Sequence, residues 1–155
     1  MIIEVSDKNI IQAAEIHSIS WIDSHKNFCS EEFLKKHNIK NQINYLQSEI
    51  KEGKKIYILI KDYPIGIISL YNNLIENLYI LPSEQGKGYG AELLLFIIEK
   101  CENEPKLWIL NNNNRAYKFY LKYKFYKTGN IKKISENIEE IEMKRFDKST
   151  NEKRK

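Results

Sequence analysis

Three glycines at alternate positions, Gly86, Gly88 and Gly90, stand in the segment Leu78-Tyr79-Ile80-Leu81-Pro82-Ser83-Glu84-Gln85-Gly86-Lys87-Gly88-Tyr89-Gly90-Ala91. The apolar run before them reads as a strand and the one after them as a helix, so the glycines fall in a strand–turn–helix connection. Glycine removes the side chains that would keep a ligand away from the backbone. The first amides of a helix lack a partner in the ladder, and the helix dipole adds partial positive charge there. The chemistry on offer is anion binding, with a phosphate as the natural guest. A nucleotide P-loop fits poorly, because Lys87 lies between glycines and no Lys-Ser or Lys-Thr follows. Gly86, Gly88 and Ala91 match a dinucleotide fingerprint, but that motif opens a series of parallel strand–helix–strand units. Here the turn follows an antiparallel meander, with a single crossover after it. A glycine-rich turn with no ligand is the remaining alternative, and the three glycines then cost helix stability without a use.

A second group lies further on, in Asn113-Asn114-Arg115-Ala116-Tyr117-Lys118-Phe119-Tyr120. At about 100° per residue, Asn113, Ala116, Tyr117 and Tyr120 share one helix face. That stripe offers an amide, a small gap and a phenol. The structural alternative is that Asn113 only caps the helix and Tyr120 only packs.

The elements that would carry these groups follow from the patterning. Residues 8–19, after Ser6-Asp7 as a cap, carry Ile10, Ile11, Ala13, Ala14 and Ile16 near helical spacing. A short helix is expected over 31–37. A third has Ile39, Ile43, Leu46 and Ile50 on one stripe and stops at Gly53. Residues 56–61, 66–71 and 75–81 read as strands joined by tight turns at Asp62-Tyr63-Pro64 and Asn72-Asn73, an antiparallel meander. An apolar helix over about 88–101, a buried strand at 107–110, a helix over about 113–123 and strands near 127–134 and 138–146 complete the chain. The fold class expected is mixed α/β, a sheet covered by helices.

Gln85-Gly86-Lys87-Gly88-Tyr89-Gly90 resembles the (Gln/Arg)-x-x-Gly-x-(Gly/Ala) signature of the GNAT superfamily of N-acetyltransferases, and Leu78-Tyr79-Ile80-Leu81-Pro82 resembles its fourth strand. Asn113-x-x-Ala116-x-x-Phe119-Tyr120 is similar to the second block of that family. The likeness covers roughly residues 56–146, and the N-terminal third matches only in layout. It departs from the family at Lys124-Phe125, where a Gly-Phe pair is usual.

The resemblance implies a mostly antiparallel central sheet with a splayed parallel pair, and acetyl-CoA lying where strands 75–81 and 107–110 part. Backbone groups of Leu78, Tyr79 and Ile80 would hold the pantetheine, and an amide there can stabilise the oxyanion. Gln85, Gly86, Lys87, Gly88, Tyr89 and Gly90 would take the pyrophosphate. Asn113 would contact the pantetheine arm, Ala116 would leave room for it, and Tyr120 would stand by the thioester sulfur. The amine attacks the thioester directly, so it must first lose a proton from a pKa of about 10. Moving a proton from a phenol to a thiolate is uphill by ~2 kcal/mol, so Tyr120 suits a hydrogen-bond donor or general acid without being obligatory. Glu76 keeps the strand face of Leu74, where some relatives carry a Glu, and is the candidate base; a solvated or salt-bridged Glu is the alternative. The acceptor site implied is lined by the first helices and the loop Trp21-Ile22-Asp23-Ser24-His25-Lys26-Asn27-Phe28. There Asp23 would meet a cationic amine and Trp21 or Phe28 an alkyl chain, against the alternative of a surface loop with aromatic anchors.

Bulk properties bound the rest. At 155 residues the chain suits one N-acetyltransferase domain over 1–147, with residues 148–155 as a basic, disordered tail. Six basic and two acidic residues from Lys144 to Lys155 account for the whole net charge of +4. The body therefore lacks the basic excess of a nucleic-acid binder, and no nucleic-acid partner is expected. No run of about 18 apolar residues appears, and the N-terminus has no signal-peptide pattern, so no membrane partner and a cytoplasmic setting are expected. Cys29 and Cys101 have neither CxxC spacing nor a His partner, which fits packing residues and no metal site. The function expected is an acetyl-CoA-dependent N-acetyltransferase acting on a primary amine, small or on a peptide or protein. A non-catalytic acyl-CoA-binding regulatory module and an RNA-directed acetylating toxin are the alternatives. A homodimer is implied by the resemblance alone.

Overall fold

The computed structural model describes residues 1–27 and 29–146. The chain forms two compact units, one of Met1–Tyr71 with Asn77–Lys100, the other of Asn72–Glu76 with the chain from Cys101 onward. A seven-stranded sheet has the order β1-β2-β3-β4-β5-β7-β6.

In the first unit β1 (Ile2–Glu4), β2 (Lys55–Ile60) and β3 (Pro64–Tyr71) pair antiparallel, and β4 (Leu74–Ile80) ends in this unit. Strands β2 and β3 are apolar almost throughout, with Ile56 to Leu59 and Ile65 to Leu70 buried. Unbroken apolar strands require cover on both faces. On one face Ile56, Ile58 and Ile67 pack with Ile10, Ala13, Ala14 and Ile16 of α1 (Ile10–His25) and Leu46 of α3 (Ile39–Lys51). On the other, Tyr57 meets Phe96 of α4 (Tyr89–Lys100) edge-on at 5.0 Å. Gly66 on β3 permits this packing: a Cβ there would stand 2.6 Å from Ile80 Cδ1 and 3.0 Å from Leu93 Cδ1.

In the second unit β5 (Lys106–Leu110), β7 (Ile138–Arg145) and β6 (Phe125–Ser135) pair antiparallel, with Leu107 opposite Met143 and Ile109 opposite Ile141. Leu74 pairs with Lys106 in the parallel sense, and Lys106 N donates to Asn73 O at 2.8 Å. The mostly antiparallel sheet with one parallel pair, expected from the sequence, is present. Helix α5 (Asn114–Lys122) leads into fully buried Phe125.

Three details depart from the sequence expectation. The three-residue β1 is too short to show a period, and it enters the sheet through pairing with β2. The cap of α1 is Asn9 rather than Ser6-Asp7: Ser6 N donates to Asn9 Oδ1 at 2.8 Å, and the helix starts one residue later. That helix also continues to His25, so residues 21–25 are helical and not loop. Helix α2 (Glu31–Lys35), capped by Ser30 Oγ on Phe33 N, is where the short helix was expected. Gly53, at φ +101, closes α3 as predicted.

Candidate functional site

The glycine-rich turn lies wholly in the first unit. A single 3-10 turn, Pro82–Glu84, separates β4 from it. Gln85 folds back, and its Nε2 donates to the Ile80 carbonyl at 3.1 Å. Ser20 Oγ of α1 donates to the same oxygen at 3.3 Å. Both lone pairs of that carbonyl are thus engaged within the protein.

Gly86 and Gly88 stand at φ +80 and φ +87, where side-chain-bearing residues are strained. No atom lies within 4 Å of where their Cβ atoms would be. The first bond of α4 runs from Glu92 N to Gly88 O at 3.1 Å, so the amides of Tyr89, Gly90 and Ala91 lie ahead of the ladder. A cradle that side chains would fill, edged by amides at a helix start, suits a pyrophosphate.

Two ammonium groups stand close by. Lys87 Nζ is 2.9 Å from Glu84 Oε2, and the Tyr63 hydroxyl donates to Glu84 Oε1. Those bonds, Tyr63's first, hold the Glu84 carboxyl below its usual range, and Glu84 in turn raises Lys87. Lys61, which sequence reasoning missed, ion-pairs with Glu92 at 2.9 Å and lies 5.3 Å over the Tyr89 ring. Nothing in the sequence around Lys61 sets it apart; its place depends on the turn between β2 and β3.

Strand β4 presents its side chains to different partners. Tyr79 packs on the His17 ring at 5.0 Å, and burial pushes its phenol up to about 12. Its side chain therefore serves the packing of α1, and its backbone alone stands as the ligand candidate. Glu76 is half-buried on the same strand. Asn77, between Glu76 and Leu78, has φ +54, a left-handed residue inside a strand.

The second stripe is gathered on α5, in the second unit. Asn113 Oδ1 accepts from Ala116 N at 3.1 Å, so Asn113 is the cap. Its Nδ2 remains as a donor on an exposed residue. Tyr120 packs edge-on against Phe119 at 5.1 Å and Phe125 at 5.7 Å. Tyr117, on the same face, lies under Lys127 at 4.7 Å. Lys124 takes φ +68, the conformation of the glycine usual there, and Lys124 N bonds Leu121 O at 3.0 Å. The turn therefore survives the departure from the family pattern.

Of the acceptor residues expected, Asp23 pairs with Lys26 at 3.0 Å. Trp21 is stacked between two imidazoles, His25 at 3.9 Å and His37 at 3.3 Å, with Phe33 at 5.7 Å. Phe28 lies outside the described residues, as does the tail 148–155. Among the described residues no cluster of metal-ligating side chains occurs, and no helix is long and apolar enough to cross a membrane.

The chain is similar to proteins of known sequence and structure. An "Uncharacterized N-acetyltransferase" from Archaeoglobus fulgidus is 25% identical over 115 residues, covering 64% of this chain and 78% of that protein. Among solved structures, the paia N-acetyltransferase of Thermoplasma acidophilum, in complex with coenzyme A, superposes with a TM-score of 0.66 at 21% identity, over 92% of this chain and 96% of that one. The putative acetyltransferase yncA of Salmonella typhimurium, with acetyl-CoA, gives 0.68 at 15% identity, over 93% and 91%. Likenesses this distant speak to the fold. A family model described as an Acetyltransferase (GNAT) domain matches residues 11–145, nearly the whole chain, and the chain therefore belongs to the GNAT acetyltransferase family.

Proposed function

We propose that the chain transfers the acetyl group of acetyl-CoA to a primary amine. The observation that carries this is the open start of α4, where Gly86 and Gly88 leave empty space beside amides ahead of the ladder. The bound coenzyme A and acetyl-CoA of the Thermoplasma and Salmonella structures support the same donor.

The donor supplies an activated acetyl thioester. The amides of Tyr89, Gly90 and Ala91 hold its pyrophosphate, beside Lys87 and Lys61, whose ammonium groups are paired with Glu84 and Glu92. Backbone groups of Leu78 and Tyr79 hold its arm in an extended form. Asn113 serves as a donor through Nδ2, since its oxygen is taken by the cap. Tyr120 gives a hydrogen bond to the departing sulfur, and Glu76 is the candidate base for the amine proton.

Thermal unfolding with and without acetyl-CoA tests the donor, and free-thiol release across polyamines, amino acids, peptide amines and aminoglycosides tests the acceptor. A ligand at a hundredfold excess over its dissociation constant adds about 2.7 kcal/mol to stability. We expect such a midpoint rise and thiol release with one amine class. Tyr120→Phe should lower kcat and leave the midpoint rise intact. A chain whose midpoint ignores acetyl-CoA is not an acetyl-CoA enzyme.

A further inference from the structure

Asn77 stands at φ +54 in the middle of β4. That region suits glycine, with asparagine next among the residue types. A residue there cannot continue the pleat, so the flanking peptide groups turn out of the ladder, and bulges of this kind re-aim what lies beside them. Such geometry persists where the surroundings hold it.

What holds it is the side chain of Asn77. Its Nδ2 donates to Ser69 Oγ on β3 and to the Tyr45 phenol oxygen on α3, each at 3.3 Å. Ser69 is 1% exposed, so its hydroxyl is fixed in the core. The Tyr45 ring stacks on His17 of α1, with centroids 5.5 Å apart, and His17 packs in turn on Tyr79. Burial lowers His17 to about 4, which keeps that ring an uncharged platform near neutral pH. Elements α3 and β3 thus meet at Asn77, with His17 of α1 packed behind Tyr45, and Leu78 follows Asn77 directly.

Resting on the acetyl-transfer reading above, we propose that Asn77 is a positioning residue: pinned by Ser69 and Tyr45, its left-handed backbone aims the Leu78 amide at the carbonyl oxygen of the bound acetyl group. A donor aimed in advance at developing negative charge needs no reorganisation during the reaction. Glycine would adopt the same φ, but without the two bonds the peptide that follows could swing.

The test uses the full chain labelled with 15N. In the parent, acetyl-CoA should move the Leu78 amide proton downfield relative to CoA, which lacks the carbonyl. Asn77→Gly keeps the backbone conformation and deletes both bonds. Its Leu78 shift should fall below about half, and kcat for thiol release should drop roughly tenfold or more, with the KM for acetyl-CoA within about twofold. Tyr45→Phe removes one acceptor from a partly exposed ring and should give a smaller loss of the same kind; it carries the test if Asn77→Gly does not fold. Asn77→Asp presents a carboxylate to which both hydroxyls can donate, and should stay near the parent. Parent-like shifts and kcat in Asn77→Gly and Tyr45→Phe overturn the positioning role and leave acetyl transfer standing. A parent that binds acetyl-CoA with no Leu78 response overturns it equally. Failure of the parent to bind acetyl-CoA instead overturns the function proposed above, and the midpoint shift registers that separately.

Discussion

Helices α4 and α5 both begin just after a strand, and they solve the same problem in opposite ways. At α5, Asn113 turns its side-chain oxygen onto Ala116 N, so the helix start is satisfied from within. At α4 the corresponding position is Gly88, which has no side chain to offer, and three amides stay ahead of the ladder. One side chain thus decides whether a helix start is a stabilising cap or a binding surface. The difference also limits Asn113: with its oxygen engaged, it can act toward a ligand only as a donor.

The largest effect should come from closing the open start. Gly88→Val places a β-branched side chain at φ +87 and in the space the glycine leaves. The strain is on the order of 1–2 kcal/mol. Thermal unfolding should show a somewhat lower midpoint and no response to acetyl-CoA; a response as large as the parent's would mean that the turn is not the donor site. The capped start should respond differently. Asn113→Ala should cost about 1 kcal/mol in urea unfolding. Asn113→Asp retains the cap oxygen and should keep that stability, while losing the Nδ2 donor and hence affinity for acetyl-CoA. Unchanged affinity in Asn113→Asp would reduce Asn113 to a cap. The smallest effect lies at the other end of α5. Lys124→Gly relieves a left-handed lysine and should raise stability by about 1 kcal/mol.

What the sequence disclosed follows the reach of its signals. Gly53, Gly86, Gly88 and the Asn113 cap were legible because each is a local rule of backbone conformation or helix ends. The strands of the meander were legible because turns at Asp62-Tyr63-Pro64 and Asn72-Asn73 bracket apolar runs. Residues 21–25 looked like a polar loop because Trp21-Ile22-Asp23-Ser24-His25 has no helical stripe of its own. The helix continues there because Trp21 finds rings outside it, at Phe33 and His37. Likewise His17, Tyr45 and Ser69 gain meaning only where α1, α3 and β3 meet. Asn77 left a faint trace, since asparagine is depleted in strands and favours left-handed geometry, yet it stands inside an apolar run. The partners that give it a purpose are 8 and 32 residues away along the chain.

The placing of the tryptophans has an optical consequence. The chain has two, Trp21 in one unit and Trp108 in the other. Trp21 is sandwiched by imidazoles, and an imidazolium stacked on an excited indole accepts an electron and darkens it. Trp108 lies instead under the ammonium of Lys132, at 4.4 Å. The two units therefore carry separate intrinsic fluorophores, one stacked on His37, whose pKa burial holds below the ordinary imidazole value, and one against an ammonium. In a chain with Trp108→Phe, emission would report on the corner of α1 and α2 alone.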